Sequence, residues 1–407
     1  MTRDAAPPRP QTPLLRPAEA LRLILEHTPA LPSEQLPVSP DLTSRVLTSV
    51  VHAAVSLPPF STSAMDGYTV RAADLAAGPV PIAFRLGAGD RPRPLPPGTA
   101  AAIATGAPMP EGADAVVPIE DAREEDGALV GDPPRPGAHI RLEGGDVRAG
   151  AVVARAGAQL TAAVLAAIQA AGADRVDVAR RPRLAALATG SELVPVGRPL
   201  EPGQIYESNL TAIVSQARTA GAEVTVGEIV VDDRAATEAA FERAIAAADV
   251  VVSSGGVSVG PHDHVKPALA ALGVREVFWR LAHKPGKPLW FGVAPGGALV
   301  FGLPGNPVSS LICFQLFIRP AIVAMQHGRV PPRPVARLAE PVRRLRERDH
   351  AVRCRLFAAP EGMLLQPAGP QDSHMIVHAA EADAVALVDA GEGDAPAGAL
   401  VEYVLLP

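Results

Sequence analysis

The sequence predicts a multidomain chain of α/β plus β class, with a central α/β domain between regions of small β structure. Three observations carry this. From Arg183 onward, short apolar runs alternate with helical stretches, the order that builds βαβ units with right-handed crossovers. Val250 to Val252 is wholly apolar and β-branched, as a strand buried on both faces of a parallel sheet must be. On either side, Gly78 to Ile140 and residues 332–407 break into short runs separated by Pro and Gly, the signature of small β structure.

At 407 residues the chain has length for several domains. Hydrophobic residues make up 48% of it but aromatic residues only 3%, so Ala, Val and Leu must fill the cores. Mean hydropathy is +0.17. Yet the most apolar windows, Ala162 to Ala173 and Ala244 to Val252, are short or broken by Gln169 and Asp249, below the ~20 residues a spanning helix needs. A soluble, cytoplasmic protein without a membrane partner is expected. Two cysteines, Cys313 and Cys354, are too few for a disulfide framework or a metal cluster and suit a reducing compartment. A net charge of −6 argues against general nucleic-acid binding, Arg343 to Arg348 being the one basic run.

Residues 1–13, Pro-rich and without an apolar h-region, read as a disordered tail. Ala20, Leu21, Ile24 and Leu25 then recur at helical spacing, with Pro17 suited to the first turn. In LPPFSTSAMDGYTV, Asp66-Gly67 marks a turn, and Asp66 reads there either as turn chemistry or as a carboxylate that orients a ligand. Thr161 to Ala171 is a helix with Thr161 as N-cap and Gly172 as its stop, expected to pack beside the first helix.

LAALAT is a strand whose carboxyl end delivers Thr189, Gly190, Ser191 and Glu192. Ser208 is placed to cap a helix through Ala220; Val224 to Val231 is a strand delivering Asp232 and Asp233; Arg234 to Ala248 is an Ala-rich helix leading into Val250. Beyond that strand, Ser253, Ser254, Gly255, Gly256, Ser258 and Gly260 form either a phosphate-holding loop or an ordinary connection. Glu192, Asp232 and Asp263 gather beside it. Each alone reads equally as a surface cap; together with a phosphate they suit Mg²⁺, which takes a few carboxylates, phosphate oxygens and waters. LPGNPVSS, after the last buried strand, opens a helix toward Met325 whose N–H groups suit an anion.

Of 37 Lys plus Arg, three are lysine: Lys266, Lys284 and Lys287. Everywhere else arginine serves. Because Lys is a compact, strongly hydrated point charge and Arg a planar fork, KPGKP is read as needing ammonium geometry for a small anion, against chance clustering of a rare residue. Pro285 and Pro288 stiffen that turn.

GGVSVGPHD, FWRLAHKPGKP and LPGNPVSS together resemble the bacterial MoeA family, the molybdopterin molybdenumtransferases of molybdenum-cofactor synthesis, related to gephyrin. The resemblance continues along nearly the whole chain, through SAMDGY, ATGAPMPEGAD and RLEGGDVRAG. It implies a doubly wound three-layer α/β domain at 179–331 and a β domain at 54–142. That β domain would be inserted into a discontinuous mixed N-terminal domain of 14–53 and 143–178, and a C-terminal β-barrel-like domain would occupy 332–407. It further implies a transferase that takes adenylylated molybdopterin and molybdate, hydrolyses the adenylate with Mg²⁺, releases AMP and leaves molybdenum on the dithiolene.

Carried over residue by residue, the catalytic set is Asp66, Thr105, Asp146, Glu192, Asp232, Asp263, Lys284 and Lys287, with Mg²⁺ on Glu192, Asp232 and Asp263. The substrate-binding set is Ser254, Gly255, Gly256, Ser258, Arg280, Pro304, Gly305, Asn306, Pro307, Ser309, Arg348 and Ser373. The chain departs from the family pattern at Glu143, where an arginine is usual, at Glu347 and Asp372, where glycine is usual, and at Arg280, where relatives often carry lysine. The expected assembly is a homodimer in which the C-terminal β domain of one subunit serves the α/β domain of the other, with transient contacts to the adenylyltransferase and to molybdoenzymes. Two alternatives stay open: the adenylyltransferase of the preceding step, which resembles 183–328 alone, and a non-catalytic molybdopterin-binding scaffold.

Overall fold

The computed structural model describes residues 14–257, 263–360 and 362–406. Two compact units emerge, one from Gln35–Val178 and the other from Met1–Glu34 with Ala179–Pro407. The tail 1–13 lies outside the described residues.

Helix α1, Pro17–Glu26, starts at its proline and buries Ala20 and Ile24. Both enter the apolar cluster of Phe317, Met325 and Leu281, the face an amphipathic stripe needs. His27 stands edge-on to Phe291, and Leu31 N donates to Met325 O.

The unit Gln35–Val178 carries a six-stranded sheet of β1 (Gly67–Val70), β2 (Val80–Leu86), β3 (Ala100–Ile103), β4 (Ala115–Pro118), β5 (Ala122–Glu125) and β6 (Ala128–Gly131), in the order β4-β1-β3-β2-β6-β5. A separate core joins Leu42, Leu47 and Val51 to Ala154, Leu165 and Ile168, so two stretches far apart in sequence share one interior. Helix α2, Ala162–Ala170, supplies part of it. Thr161 Oγ1 accepts from Val164 N, and Gly172 follows at φ +81°.

In the other unit a six-stranded sheet is built from β7 (Arg183–Thr189), β8 (Glu223–Val230), β9 (Val250–Ser254), β10 (Arg275–Trp279), β12 (Trp290–Val293) and β13 (Leu299–Leu303), ordered β8-β7-β9-β13-β12-β10. The first four in that order run parallel. Helices α3 (Asn209–Thr219), α4 (Arg234–Ala247) and α5 (Val265–Ala271) connect them. Ser208 precedes α3 without a side-chain cap; Glu207 instead accepts from Leu210 N at 2.7 Å, a longer side chain reaching the same orphan amide. After β13, α6 (Pro307–Cys313), a π-helical turn (Phe314–Ile318) and α7 (Arg319–Met325) form one continuous helix. Among the described residues it alone is long and apolar enough to cross a membrane, and 78% of its apolar window is buried inside the protein as a core helix.

Residues 335–405 form a small closed barrel of β14 (Val335–Leu338), β15 (Asp349–Ala359), β16 (Gly362–Pro367), β17 (Ala384–Val388) and β18 (Leu400–Leu405), ordered β15-β16-β14-β18-β17 and closed by β15 on β17. The KPGKP turn joins it directly: β11, His283–Lys284, pairs in parallel with β15, placing His283 opposite Asp349 and Lys284 opposite His350. The barrel that pairs with KPGKP is this chain's own. Strand addition explains it, since β11 presents its edge within the same unit.

Candidate functional site

The carboxyl ends of β7, β8, β9 and β13 open onto a cleft of about 720 Å³. Ser254 ends β9 and Gly255 and Gly256 follow it, and Pro304, Gly305, Asn306 and Pro307 follow β13; all seven line it. Gly255 sits at φ +91°, where a Cβ would meet Thr189 O at 2.5 Å. Gly256 sits at φ +66°, where a Cβ would meet Val265 Cγ2 at 2.4 Å. The loop therefore needs glycine on both grounds, backbone handedness and close approach.

Asn209 straps the two loops together. Its amide donates to Ser254 Oγ at 2.7 Å and to Gly305 O at 2.8 Å. The sequence reading passed over Asn209, because a residue just inside a helix start looks like helix chemistry until a second loop is seen across from it.

Glu192, Asp232 and Asp263 line the same cleft. Asp232 exchanges hydrogen bonds with Ser191, Oδ2 accepting from Ser191 N at 3.0 Å and Ser191 Oγ accepting from Asp232 N at 3.1 Å. Glu192 folds its carboxylate back over Gly190. Asp263 differs from both. Its two carboxylate oxygens are buried without a hydrogen-bond partner among the described residues. Burial pushes its carboxyl up to about 6, although Lys266 and the nearby amides of Val265 and Lys266 pull the other way. Among the described residues no three His, Cys, Asp or Glu side chains stand close enough to hold a metal ion by themselves. A hard cation here would have to share the carboxylates with substrate oxygens and water, and that is the coordination Mg²⁺ prefers.

Trp279 lies between two cations, Lys266 Nζ at 3.4 Å and the Arg280 guanidinium carbon at 4.0 Å from the ring centroid. Its indole N–H donates to Val257 O at 3.2 Å, tying the stack to the base of the glycine loop. Arg280 adopts φ +76° to reach the ring. Burial lowers the Lys266 pKa.

The KPGKP turn is held from beneath. His283 Nδ1 donates to Pro285 O at 2.5 Å, Leu281 N donates to Lys287 O at 2.8 Å, and a Cβ on Gly286 would meet Cys313 Sγ at 2.4 Å. Lys284, Lys287, Arg280 and Arg348 do not line the cleft, whereas Pro288 does. Lys284 and Arg348 both lie near His350, whose pKa is lowered first by burial and then by these two cations.

Ser309 is only 3% exposed and is packed into the helix interior, not the cleft. At the start of α6, Pro307 has no N–H and Val308 N donates to Ser373 O at 3.1 Å, so that amide is taken within the protein. Ser373 thus meets the α/β domain through its carbonyl, and its neighbour His374 lines the cleft. Ser258 lies outside the described residues. Asp66, Thr105 and Asp146 belong to the unit Gln35–Val178, where all three are exposed and Thr105 N donates to Asp66 Oδ1 at 2.8 Å. Segments 57–64 and 139–147 run side by side there, through Ala64 N to His139 O and Asp146 N to Leu57 O, both 2.9 Å.

Three family models match the chain. Residues 15–172 match the MoeA N-terminal region (domain I and II), 185–324 the "Probable molybdopterin binding domain" and 335–406 the MoeA C-terminal region (domain IV). The chain is 39% identical over 329 residues to a molybdopterin molybdenumtransferase of Nostoc, covering 78% of this chain and 76% of that one. It is 42% identical over 290 residues to molybdopterin molybdenumtransferase 2 of Mycobacterium tuberculosis H37Rv, covering 68% and 71%. The solved molybdopterin biosynthesis MoeA protein of Pyrococcus horikoshii superposes with a TM-score of 0.80 at 30% identity, covering 97% of this chain and 99% of that one.

Proposed function

The chain belongs to the molybdopterin molybdenumtransferase family, and from that premise we propose that it transfers molybdenum from molybdate to adenylylated molybdopterin, with Mg²⁺-assisted hydrolysis of the adenylate and release of AMP. One observation carries the reading to this cleft: two glycine-bearing loops and a buried carboxylate, Asp263, that has no hydrogen-bond partner among the described residues, share it. The loops at Gly256 and at Gly305–Asn306 would receive the substrate phosphate, and Asn209 keeps the two loops in register. Asp263, with Glu192 and Asp232, would hold Mg²⁺, which supplies positive charge to the phosphate oxygens.

The demand on the site is electrostatic. Bringing two unit negative charges to 4 Å costs about 4 kcal/mol at an effective dielectric near 20. Lys284, Lys287 and Arg348 on the barrel side, with the Lys266–Trp279–Arg280 stack, offset it. Positioning and charge neutralisation suffice, without a covalent nucleophile. Asp66, Thr105 and Asp146 stay in the proposal as catalytic residues carried on Gln35–Val178, Ser373 as a substrate-binding residue, and a cytoplasmic homodimer as the working form.

The test is AMP release from adenylylated molybdopterin by the purified chain. Release that requires both molybdate and Mg²⁺ is the expected result. Formation of adenylylated molybdopterin from ATP and molybdopterin would move the chain to the preceding step, and binding without turnover would make it a scaffold.

A further inference from the structure

The barrel segment Ala368–Met375 is held by a buried cation. Arg353, on β15, is 1% exposed and makes no ion pair among the described residues. Its guanidinium donates instead to main-chain carbonyls of that segment: to Pro370 O, to Met375 O at 3.2 Å and, at the limit of reach, to Asp372 O at 3.5 Å. Gln371 ties the segment to the same residue, Oε1 accepting from Arg353 N at 2.9 Å and Nε2 donating to Arg353 O at 3.2 Å. Burying a guanidinium without a direct ion pair is costly, burial lowering its pKa against the opposing pull of the nearby Asp372, and an apolar residue would fill a barrel interior more cheaply. What the fork achieves is convergence of several carbonyls on one rigid plane, which fixes the shape of the loop that supplies them. On the far side of that loop, Ser373 O meets Val308 N at 3.1 Å and His374 lines the cleft. One continuous connection therefore runs from the barrel interior to the cleft wall.

We infer that Arg353 is a positioning residue: it fixes the Ser373–His374 corner against the start of α6, so that His374 closes the cleft over the substrate. This rests on the proposed function, because the substrate it names is adenylylated molybdopterin. Arg353→Lys keeps the charge and loses the fork, and Gln371→Ala loosens the same loop without touching a buried charge.

In the full chain, both variants should raise KM for adenylylated molybdopterin by about tenfold, with kcat within about threefold of the parent. Because Arg353 acts through the corner, Arg353→Lys should add less than about twofold to KM in a His374→Ala background. Hydrogen exchange gives a reading independent of turnover: the Val308 amide, whose acceptor is Ser373 O, should exchange at least about tenfold faster in both variants. An unchanged KM, or a full effect persisting beside His374→Ala, overturns the inference. A parent that releases no AMP while Val308 exchange still rises overturns the functional reading and leaves the positioning role standing. Unchanged Val308 exchange in both variants removes the positioning role itself.

Discussion

The two walls of the cleft are held by different means. The sheet-edge wall is set by local chain geometry: strands buried on both faces deliver their ends to one line, glycines at 255 and 256 take backbone conformations closed to other residues, and short side chains such as Asn209 and Ser191 tie neighbours together. The barrel wall adds a distant tie to its local ones, Gln371 Nε2 donating to Ala368 O and Gly369 O within the segment. Its corner at Ser373 and His374 is fixed by Arg353, a residue on a different strand, acting through carbonyls. A wall of the first kind is specified almost wherever its strands form, while one of the second kind also needs a side chain buried at a distance.

If the sheet edge carries the chemistry, the largest effect belongs there. Asp263→Asn, which keeps shape and removes charge, should lower AMP release by about 1,000-fold, or roughly 4 kcal/mol of transition-state stabilisation. A loss under about tenfold would break the comparison, because the buried Asp263 carboxylate would then be idle.

Next comes the junction of turn and barrel, where His283 is buried and its pKa is pushed down to about 4 by desolvation, with Asp349 opposing and His350 and Arg333 reinforcing the shift. Below pH 6.5 the unfolded chain takes up a proton that the folded chain refuses until about pH 4. Stability is therefore complete above that window and lost as pH falls through it, by about 3 kcal/mol at its acid end. Both tryptophans, Trp279 and Trp290, lie in this unit, so their fluorescence follows its denaturant midpoint without contribution from Gln35–Val178. The midpoint should drop between pH 7 and pH 4.5 in the parent, and by less in His283→Gln. Equal drops would show that this junction does not set acid stability.

A smaller effect is expected at the strap. Asn209→Ala removes two hydrogen bonds between the loops and should cost about 2 kcal/mol in kcat/KM, roughly 30-fold, with little change in melting temperature. The smallest belongs to KPGKP: Lys284→Arg and Lys287→Arg should each lower molybdate-dependent AMP release about tenfold, and Arg280→Lys should be mild. Arginine variants that work like the parent would mean the lysines supply charge alone.

How far the sequence went follows the same division. Val250–Val252, the glycine loop and Thr161 were readable because each is governed by neighbours in sequence, through burial on two faces, positive φ and an amide three residues ahead. Asn209, Trp279 and Arg353 escaped, since their partners lie across the fold; an arginine in the apolar run AVRCRL was the one visible hint of the last. The Ser208 side-chain cap and the Val308 amide at the start of α6 differ from the expectation for a related reason. A residue type suited to a helix end says nothing about whether Glu207 or Ser373 has already taken the amide.

The most direct test of the central claim, that Asp263 and the two loops form one phosphate-and-cation site, is calorimetric titration of adenylylated molybdopterin into parent and Asp263→Asn, with and without Mg²⁺ and in the absence of molybdate. The account predicts that Mg²⁺ tightens binding to the parent by at least about tenfold, 1.4 kcal/mol, and leaves the variant unchanged. An equal gain in both proteins would place the cation elsewhere and contradict it.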